Sequence, residues 1–247
     1  MKVYKTAEVA KIIGIHPNTV RLYEEWGFIP KATRKDNGYR VFTDFHIKQI
    51  QLARLAFQVE VLQNGLRKKM VNMVKISAKG DFDSALLLAK EYLEQIQQEK
   101  QNAEEAIEIT IGLLSGEVHE NKVRLKRKEV SDFLQISMDT LRNWEMNGLL
   151  KVKRKSNGYR IYTHNDIKQL KIIRSLRCAN YSLEAILRML NELSSNSKAD
   201  IKHILNTPKF NDTIISACDK LIVSLHEAEE NAKQIILLLQ DMKIFFK

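Results

Sequence analysis

The apolar positions of the first 60 residues change period twice. Val9, Ile12 and Ile13 recur at helical spacing, with Thr6 as the expected N-cap, Glu8 in the first turn and Gly14 as a left-handed C-cap. Pro17 opens a second short helix, because the N–H it lacks would be unpaired there anyway. That helix carries Val20, Tyr23 and Glu24 and ends near Gly27. The period then shortens: Thr33-Arg34-Lys35 and Tyr39-Arg40-Val41-Phe42 flank Asp36-Asn37-Gly38, and Asn-Gly is the signature of a two-residue β-hairpin turn. Thr43 caps a third helix with Phe45, Ile47, Ile50, Leu52 and Leu55. From Asp83 to Leu114 the apolar residues Leu86, Ala89, Leu93, Ile96, Ala103, Ile107 and Leu114 follow the alternating three-four spacing of a coiled-coil seam. A helix of about 32 residues spans roughly 48 Å.

The same series of elements occurs a second time. Thr19-Val20-Arg21-Leu22-Tyr23-Glu24 returns as Thr140-Leu141-Arg142-Asn143-Trp144-Glu145, and Lys31–Arg40 returns as Lys151–Arg160. Aligning 19–54 with 140–174 after skipping Pro30 gives 16 identities in 35 pairs, an internal duplication. The repeat extends into the long helix at a shift of 129, where Ile215, Cys218, Ile222, Leu225, Ala232 and Ile236 supply the second seam. The expected fold is mainly α: two winged helix-turn-helix domains, each followed by a long helix, the two helices forming an antiparallel coiled coil. The boundaries are 1–75 for the first domain, 76–118 for the first coiled-coil helix and connector, 119–195 for the second domain and 196–247 for the second helix.

Charge follows the same division. The net charge is +10, but residues 1–75 carry 14 Lys and Arg against 6 Asp and Glu, and 121–190 carry 16 against 6. Residues 76–120 carry 3 against 10, and 191–247 carry 7 against 8. Two separate basic patches suit two separate phosphate contacts. No apolar run reaches the length of a transmembrane span, and the N-terminus has no apolar signal core, so a cytoplasmic location is expected. The two cysteines, Cys178 and Cys218, stand 40 positions apart, and the histidines are scattered singly, so neither a metal site, a cofactor nor a disulfide framework is expected.

Two short helices joined by a Gly-containing turn make a helix-turn-helix, whose second helix enters the major groove by its N-terminal end. That places Asn18, Thr19, Arg21 and Leu22 near DNA, and Thr140, Arg142 and Asn143 in the second copy. Arg34, Lys35, Tyr39 and Arg40 cluster at the hairpin, as do Arg154, Lys155, Tyr159 and Arg160, in the manner of a wing that touches backbone or minor groove. Tyr23 and Trp144 are open between a DNA contact and a core role. The basic run Arg124–Lys128 is open between a solvated stretch and a phosphate contact. The copies also differ. Gln135 replaces Gly14 at the turn, Ser137 replaces His16 as cap, Asp139 replaces Asn18 and Asn143 replaces Leu22. Asn can read an adenine edge and Leu can meet only a thymine methyl, so different half-sites are expected.

These motifs resemble the MerR family of bacterial transcription regulators. The resemblance rests on Thr19–Glu24 with Gly27-Phe28, on Asn37-Gly38-Tyr39-Arg40-Val41-Phe42, and on Thr140–Leu149 with Asn157–Tyr162. It implies a regulator that binds between promoter elements and distorts the DNA, with RNA polymerase at the promoter as a further partner. It implies DNA contacts for Arg21 and Arg142 and wing contacts for Tyr39, Arg40, Tyr159 and Arg160. It also implies pairing through an antiparallel coiled coil, normally between two chains. Here Leu86, Leu93, Ile96, Lys100 and Ile107 would pair with Ile215, Ile222, Leu225, Glu229 and Ile236. Lys100 and Glu229 align with each other on the seam, so like-helix pairing would oppose like charges and unlike pairing would not. A single-chain pseudo-dimer on an imperfectly palindromic operator is therefore expected, a swapped homodimer being the alternative.

Competing classes are an architectural or phage/plasmid accessory DNA-binding protein, and an interaction adaptor with a degenerate second head. Asp139, an anion in the second recognition helix, is the feature that favours the adaptor. No enzyme is expected: there is no phosphate loop, no metal-ligand spacing and no nucleophile–base arrangement on a defined scaffold.

Overall fold

The computed structural model describes residues 2–58, 64–115, 123–154, 158–196 and 214–246. The chain divides into two compact units, one made of residues 1–97 and 226–247, the other of 98–225.

The first unit begins with strand β1 (Val3–Tyr4), helix α1 (Thr6–Ile13) and helix α2 (Pro17–Glu25). Strands β2 (Thr33–Arg34) and β3 (Arg40–Thr43) and helices α3 (Asp44–Ala56) and α4 (Leu66–Ser77) follow. Lys5, not Thr6, is the N-cap of α1: its backbone N–H donates to the Glu8 carboxylate at 2.6 Å. Thr6 is the first helical residue, because the extended strand ending at Tyr4 sets the entry one position earlier. Gly14 ends α1 at φ 72°, the left-handed cap expected. The sheet is antiparallel in the order β1-β3-β2, with Tyr4 opposite Phe42 and Arg34 opposite Arg40. Its hairpin loop has three residues rather than two. Lys35 N–H donates to Tyr39 O at 3.0 Å, Gly38 N–H to Lys35 O at 2.8 Å, and Gly38 takes φ 78°. A turn closed by a left-handed glycine is the three-residue alternative to the two-residue hairpin.

The head's core is Val9, Ala10, Val20, Ile29, Phe42, Ile47 and Ile50. Behind it α3 packs on α4, and the buried Gln49 bridges them: its amide donates to Val74 O at 2.9 Å and accepts from the Ser77 hydroxyl at 2.9 Å. Helix α5 (Phe82–Leu114) starts in this unit and helix α10 (Ile214–Phe246) ends in it. Phe45 of α3 meets Phe82 and Phe246 at centroid distances of 5.9 and 5.2 Å, and Lys243 pairs with Asp83.

The second unit repeats the plan with β4 (Arg124–Leu125), α6 (Arg127–Leu134), α7 (Met138–Met146), β5 (Lys153–Arg154), β6 (Arg160–Thr163), α8 (His164–Cys178) and α9 (Leu183–Asn196). Its sheet order is β4-β6-β5. Gln135 holds the left-handed position of Gly14 at φ 52°, a conformation that disfavours a side chain. Its core joins Val130, Leu141, Trp144, Tyr162 and Leu170 of the head to Ala106 of α5 and Ile214, Ala217 and Cys218 of α10.

The buried stripes of the long helices overlap the expected ones in part. In α5 they are Ala85, Ala89, Tyr92, Ile96, Glu99, Ala103, Ala106 and Thr110; in α10 they include Ile214, Cys218, Leu221, Leu225, Ala228, Ala232, Ile235 and Leu239. Of the expected seam, Ala89, Ile96, Ala103, Cys218, Leu225, Glu229 and Ala232 are buried, while Leu86, Leu93, Lys100, Ile107, Leu114, Ile215, Ile222 and Ile236 are half-buried. Beside the half-buried Leu86, Leu93 and Ile107, the buried neighbours are Ala85, Tyr92 and Ala106. Among the described residues no helix is long and apolar enough to cross a membrane, and no group of His, Cys, Asp and Glu is arranged to hold a metal.

Candidate nucleic-acid interface

In the first head, His16 precedes Pro17 and its ring Nδ1 accepts from Asn18 N–H at 3.2 Å, capping α2. This orients the first turn outward. Asn18, Arg21 and Leu22 are exposed and Thr19 is half-buried, while Val20 on the opposite face enters the core. Arg21 donates from Nη1 to the Asn18 side-chain oxygen at 3.2 Å, so the two polar groups form one outward-facing pair. Tyr23 is half-buried against the core and meets Phe28 edge-on at 5.7 Å, which turns it away from the outer face.

The wing adds Arg34 and Lys35, both exposed, and Tyr39, whose ring is 69% exposed. Arg40 does not join them as a free cation. Its Nε donates to Glu24 of α2 at 2.6 Å, and the other Glu24 oxygen accepts Ala32 N–H at 3.0 Å. Arg40 thus clamps wing to recognition helix. Residue 46, on α3 beneath the wing, is a buried histidine. Its Nδ1 accepts Thr43 N–H at 3.1 Å, and its Nε2 is buried without a partner. Burial depresses the His46 pKa below its ordinary 6.5, against the opposing pull of Glu24.

The second head repeats the clamp in a tighter form. Arg160 Nε donates to Glu145 at 2.5 Å, and the Tyr162 hydroxyl donates to the other Glu145 oxygen. Burial, then the Glu145 hydrogen bond, raises the Tyr162 pKa, which keeps it a donor. Trp144 is 4% exposed within the core, the core role left open for it by the sequence. Ser137 caps α7 by accepting Thr140 N–H at 3.0 Å, and Asp139, Arg142 and Asn143 are exposed. Asn147 donates to the Asn143 backbone oxygen at 2.8 Å and side-chain oxygen at 3.2 Å, holding Asn143 at the outer face. Arg154 is exposed and Tyr159 is 72% exposed; Lys155 and Asn157 lie outside the described residues. Of the Arg124–Lys128 run, Arg124 pairs in β4, Lys126 caps α6 and Arg127 donates to Met138 O at 2.8 Å.

Glu24 and Glu145 are site residues that motif reading passed over. The signal was present, since Glu24/Glu145 and Arg40/Arg160 are identical pairs in both copies of the duplication.

Comparison with known proteins agrees with both heads. The description "MerR family regulatory protein" matches residues 5–42, and "MerR HTH family regulatory protein" matches residues 125–193. The HTH-type transcriptional regulator CueR of Escherichia coli O6:H1 is 42% identical over 53 residues, 22% of this chain and 39% of the relative. CueR of Yersinia pestis is 35% identical over 92 residues, 36% of this chain and 65% of the relative. The HTH-type transcriptional regulator ZntR of Escherichia coli strain K12 is 33% identical over 64 residues, 26% of this chain and 45% of the relative. Each match spans less than two thirds of the relative's own length. No solved structure matches the chain significantly. The chain thus carries two tandem MerR-type domains, each with its own helix-turn-helix and clamped wing.

Proposed function

We propose that this chain is a sequence-specific DNA-binding transcriptional regulator acting as a single-chain pseudo-dimer. The observation that carries this reading is the duplicated, clamped wing. In each head one glutamate of the recognition helix holds the wing arginine (Glu24 with Arg40, Glu145 with Arg160), fixing two outward surfaces as one rigid reader. The relatives' printed names, HTH-type transcriptional regulators, point the same way. The DNA-facing set is Asn18, Thr19, Arg21, Arg34, Lys35 and Tyr39 in the first head. In the second it is Thr140, Arg142, Asn143, Arg154, Lys155 and Tyr159. Phosphate contacts by these cations position the heads, and the first turns of α2 and α7 read base edges.

Pairing of α5 with α10 inside one chain is supported by the Lys243–Asp83 ion pair and by the core that Ala106 shares with Ile214 and Cys218. The aligned charges Lys100 and Glu229 favour this unlike pairing over like pairing. Because the heads differ, the operator is an imperfect palindrome, and seating both heads on it distorts promoter DNA, where RNA polymerase is the further partner. Selection of bound sequences from a random duplex pool tests the reading. It predicts two unequal half-sites at fixed spacing; one half-site, or none, would contradict it. Light scattering is expected to give the mass of one 28.6 kDa chain at low concentration, and twice that mass would favour a swapped homodimer.

A second reading, an adaptor with a degenerate second head, is favoured by the exposed Asp139 on the first turn of α7. A carboxylate there repels phosphate unless it accepts from cytosine N4. Selection that returns only the half-site of the first head would support the adaptor.

A further inference from the structure

The second unit contains a cleft that the DNA-reading surfaces do not use. Three elements wall it: α5 through Glu105, the C-terminal end of α6 through Phe133, Leu134 and its cap Gln135, and α8 through Lys171 and Arg174. Its volume is about 220 Å³, below the roughly 300–1,000 Å³ of sites for drug-sized ligands, so it fits a small metabolite.

The floor is rigid and the mouth is not. Arg174 is 8% exposed and its guanidinium donates to both Glu99 oxygens at 2.6 and 2.9 Å and to Leu134 O at 2.9 Å. At the mouth stand opposite charges, Lys171 and Glu105, ion-paired but with side chains 22% and 44% exposed. A pair so exposed holds itself together weakly. Lys171 also lies 5.1 Å over the ring of Phe133, which is 56% exposed and presents an apolar face to the opening.

We propose that this cleft binds a free α-amino acid. The ligand carboxylate takes the Lys171 ammonium and the ligand ammonium takes the Glu105 carboxylate, so a zwitterion bridges the two charges at the mouth. Its side chain meets Phe133 and Leu134. A lone anion or a lone cation satisfies one mouth residue and leaves the other facing a like charge or an empty partner. At the positions that align with them in the duplication, Lys171 becomes Gln51 and Glu105 becomes Gln234, so the charge pair is not repeated.

The location gives such a ligand a consequence, which rests on the DNA-binding reading above. Gln135 carries the left-handed turn of the helix-turn-helix, and Leu134 O is tied to Arg174. A molecule seated against this turn biases how α7 is presented. Coupling of this kind between two ligands changes affinity by about 5–150-fold.

The test uses the full chain and the twenty standard α-amino acids as probes, read by calorimetry without DNA. The expected result is binding by at least one of them at millimolar concentration or tighter. Lys171→Gln and Glu105→Gln should each weaken it roughly tenfold or more, since each removes a charge-assisted hydrogen bond. The amine and the carboxylic acid that share the ligand's side chain should bind no better than the variants do. Gln51→Ala, in the first head, should leave binding unchanged. Binding by none of the twenty, undiminished binding in both variants, or equal binding of the amine or acid analogue would overturn the proposal. Binding that leaves DNA affinity unaltered would remove the regulatory consequence and keep the site; loss of DNA binding altogether would remove the functional reading and leave calorimetry to decide the site.

Discussion

Replacing Arg174 by Met tests the internal bracing of the second unit. Glu99 is 2% exposed, so removing its guanidinium partner leaves a buried carboxylate with the neutral Asn102 amide and no cation beside it, and Leu134 O loses its donor as well. Breaking one side of a buried pair costs about 3–5 kcal/mol. An orphaned carbonyl adds about 1–3 kcal/mol where water cannot reach it. The loss is therefore about 4 kcal/mol or more, a large fraction of a domain's stability of about 5–15 kcal/mol. The double change Glu99→Leu with Arg174→Met removes the stranded charge and should recover much of the loss, because well-packed apolar replacements of buried pairs are often neutral. The assay is built into the chain, which has two tryptophans, one in each unit: Trp26 and Trp144. In a Trp26→Phe background, urea unfolding followed by fluorescence reports the second unit through the buried Trp144. Arg54→Met, at the exposed counterpart of Arg174 in the first head, should stay within about 0.5 kcal/mol as surface changes do. A loss below about 1 kcal/mol for Arg174→Met, or a double variant as unstable as the sum of its singles, would refute the bracing.

The first head should weaken in acid. Its folded state holds His46 neutral with a depressed pKa, so the unfolded chain binds the proton more readily, and stability present above pH 6.5 is lost as pH falls below that value. Protonation also takes away the Nδ1 lone pair that caps α3; urea midpoints read at Trp26 should fall with acid in wild type and less so in His46→Asp, which copies the Asp166 cap of the second head. Parallel curves for the two proteins would count against the assignment. Glu145→Gln weakens the grip on Arg160, and because hydrogen bonds to a charged group contribute about 1.5–3 kcal/mol, binding to the second half-site should drop roughly tenfold or more. Retained affinity would show that the clamp is dispensable for reading DNA. Lys100→Glu places two acids on the aligned positions 100 and 229 and should promote dissociation or rearrangement of the helix pair, seen as a changed mass by light scattering; unchanged mass and stability would remove the charge argument.

The parts of the fold legible in the sequence are those with a long period or a duplicated motif. Helix α5 was expected from Asp83 to Leu114 and runs from Phe82 to Leu114, because more than four heptads of spacing leave little freedom. The helix-turn-helix and wing were legible because Gly14, Pro17 and Asn37-Gly38 each restrict the backbone locally. Strands β1 and β4 were not, since two residues have no period, and their pairing depends on β3 and β6 some 40 positions away. The stripe of α5 was legible at Ala89, Ile96 and Ala103 but fell one position off at Leu86, Leu93 and Ile107, because hydropathy alone does not say which of two adjacent apolar residues faces inward. Motif reading saw Arg40 and Arg160 as cations near a wing and did not see the acids that face them, Glu24 and Glu145. Trp144 was undecided for a similar reason: an aromatic at that position serves either face, and only the packing of Leu141 and Tyr162 around it decides.

The central claim is that one chain carries two working heads. Footprinting on a selected operator, with Arg21→Ala and Arg142→Ala made separately, tests it most directly, since both arginines are exposed and neither supports the core. The account predicts that wild type protects two half-sites, that each change removes protection from a different one, and that binding weakens steeply with salt. A footprint indifferent to Arg142→Ala, or both half-sites lost together through a single head, would contradict it.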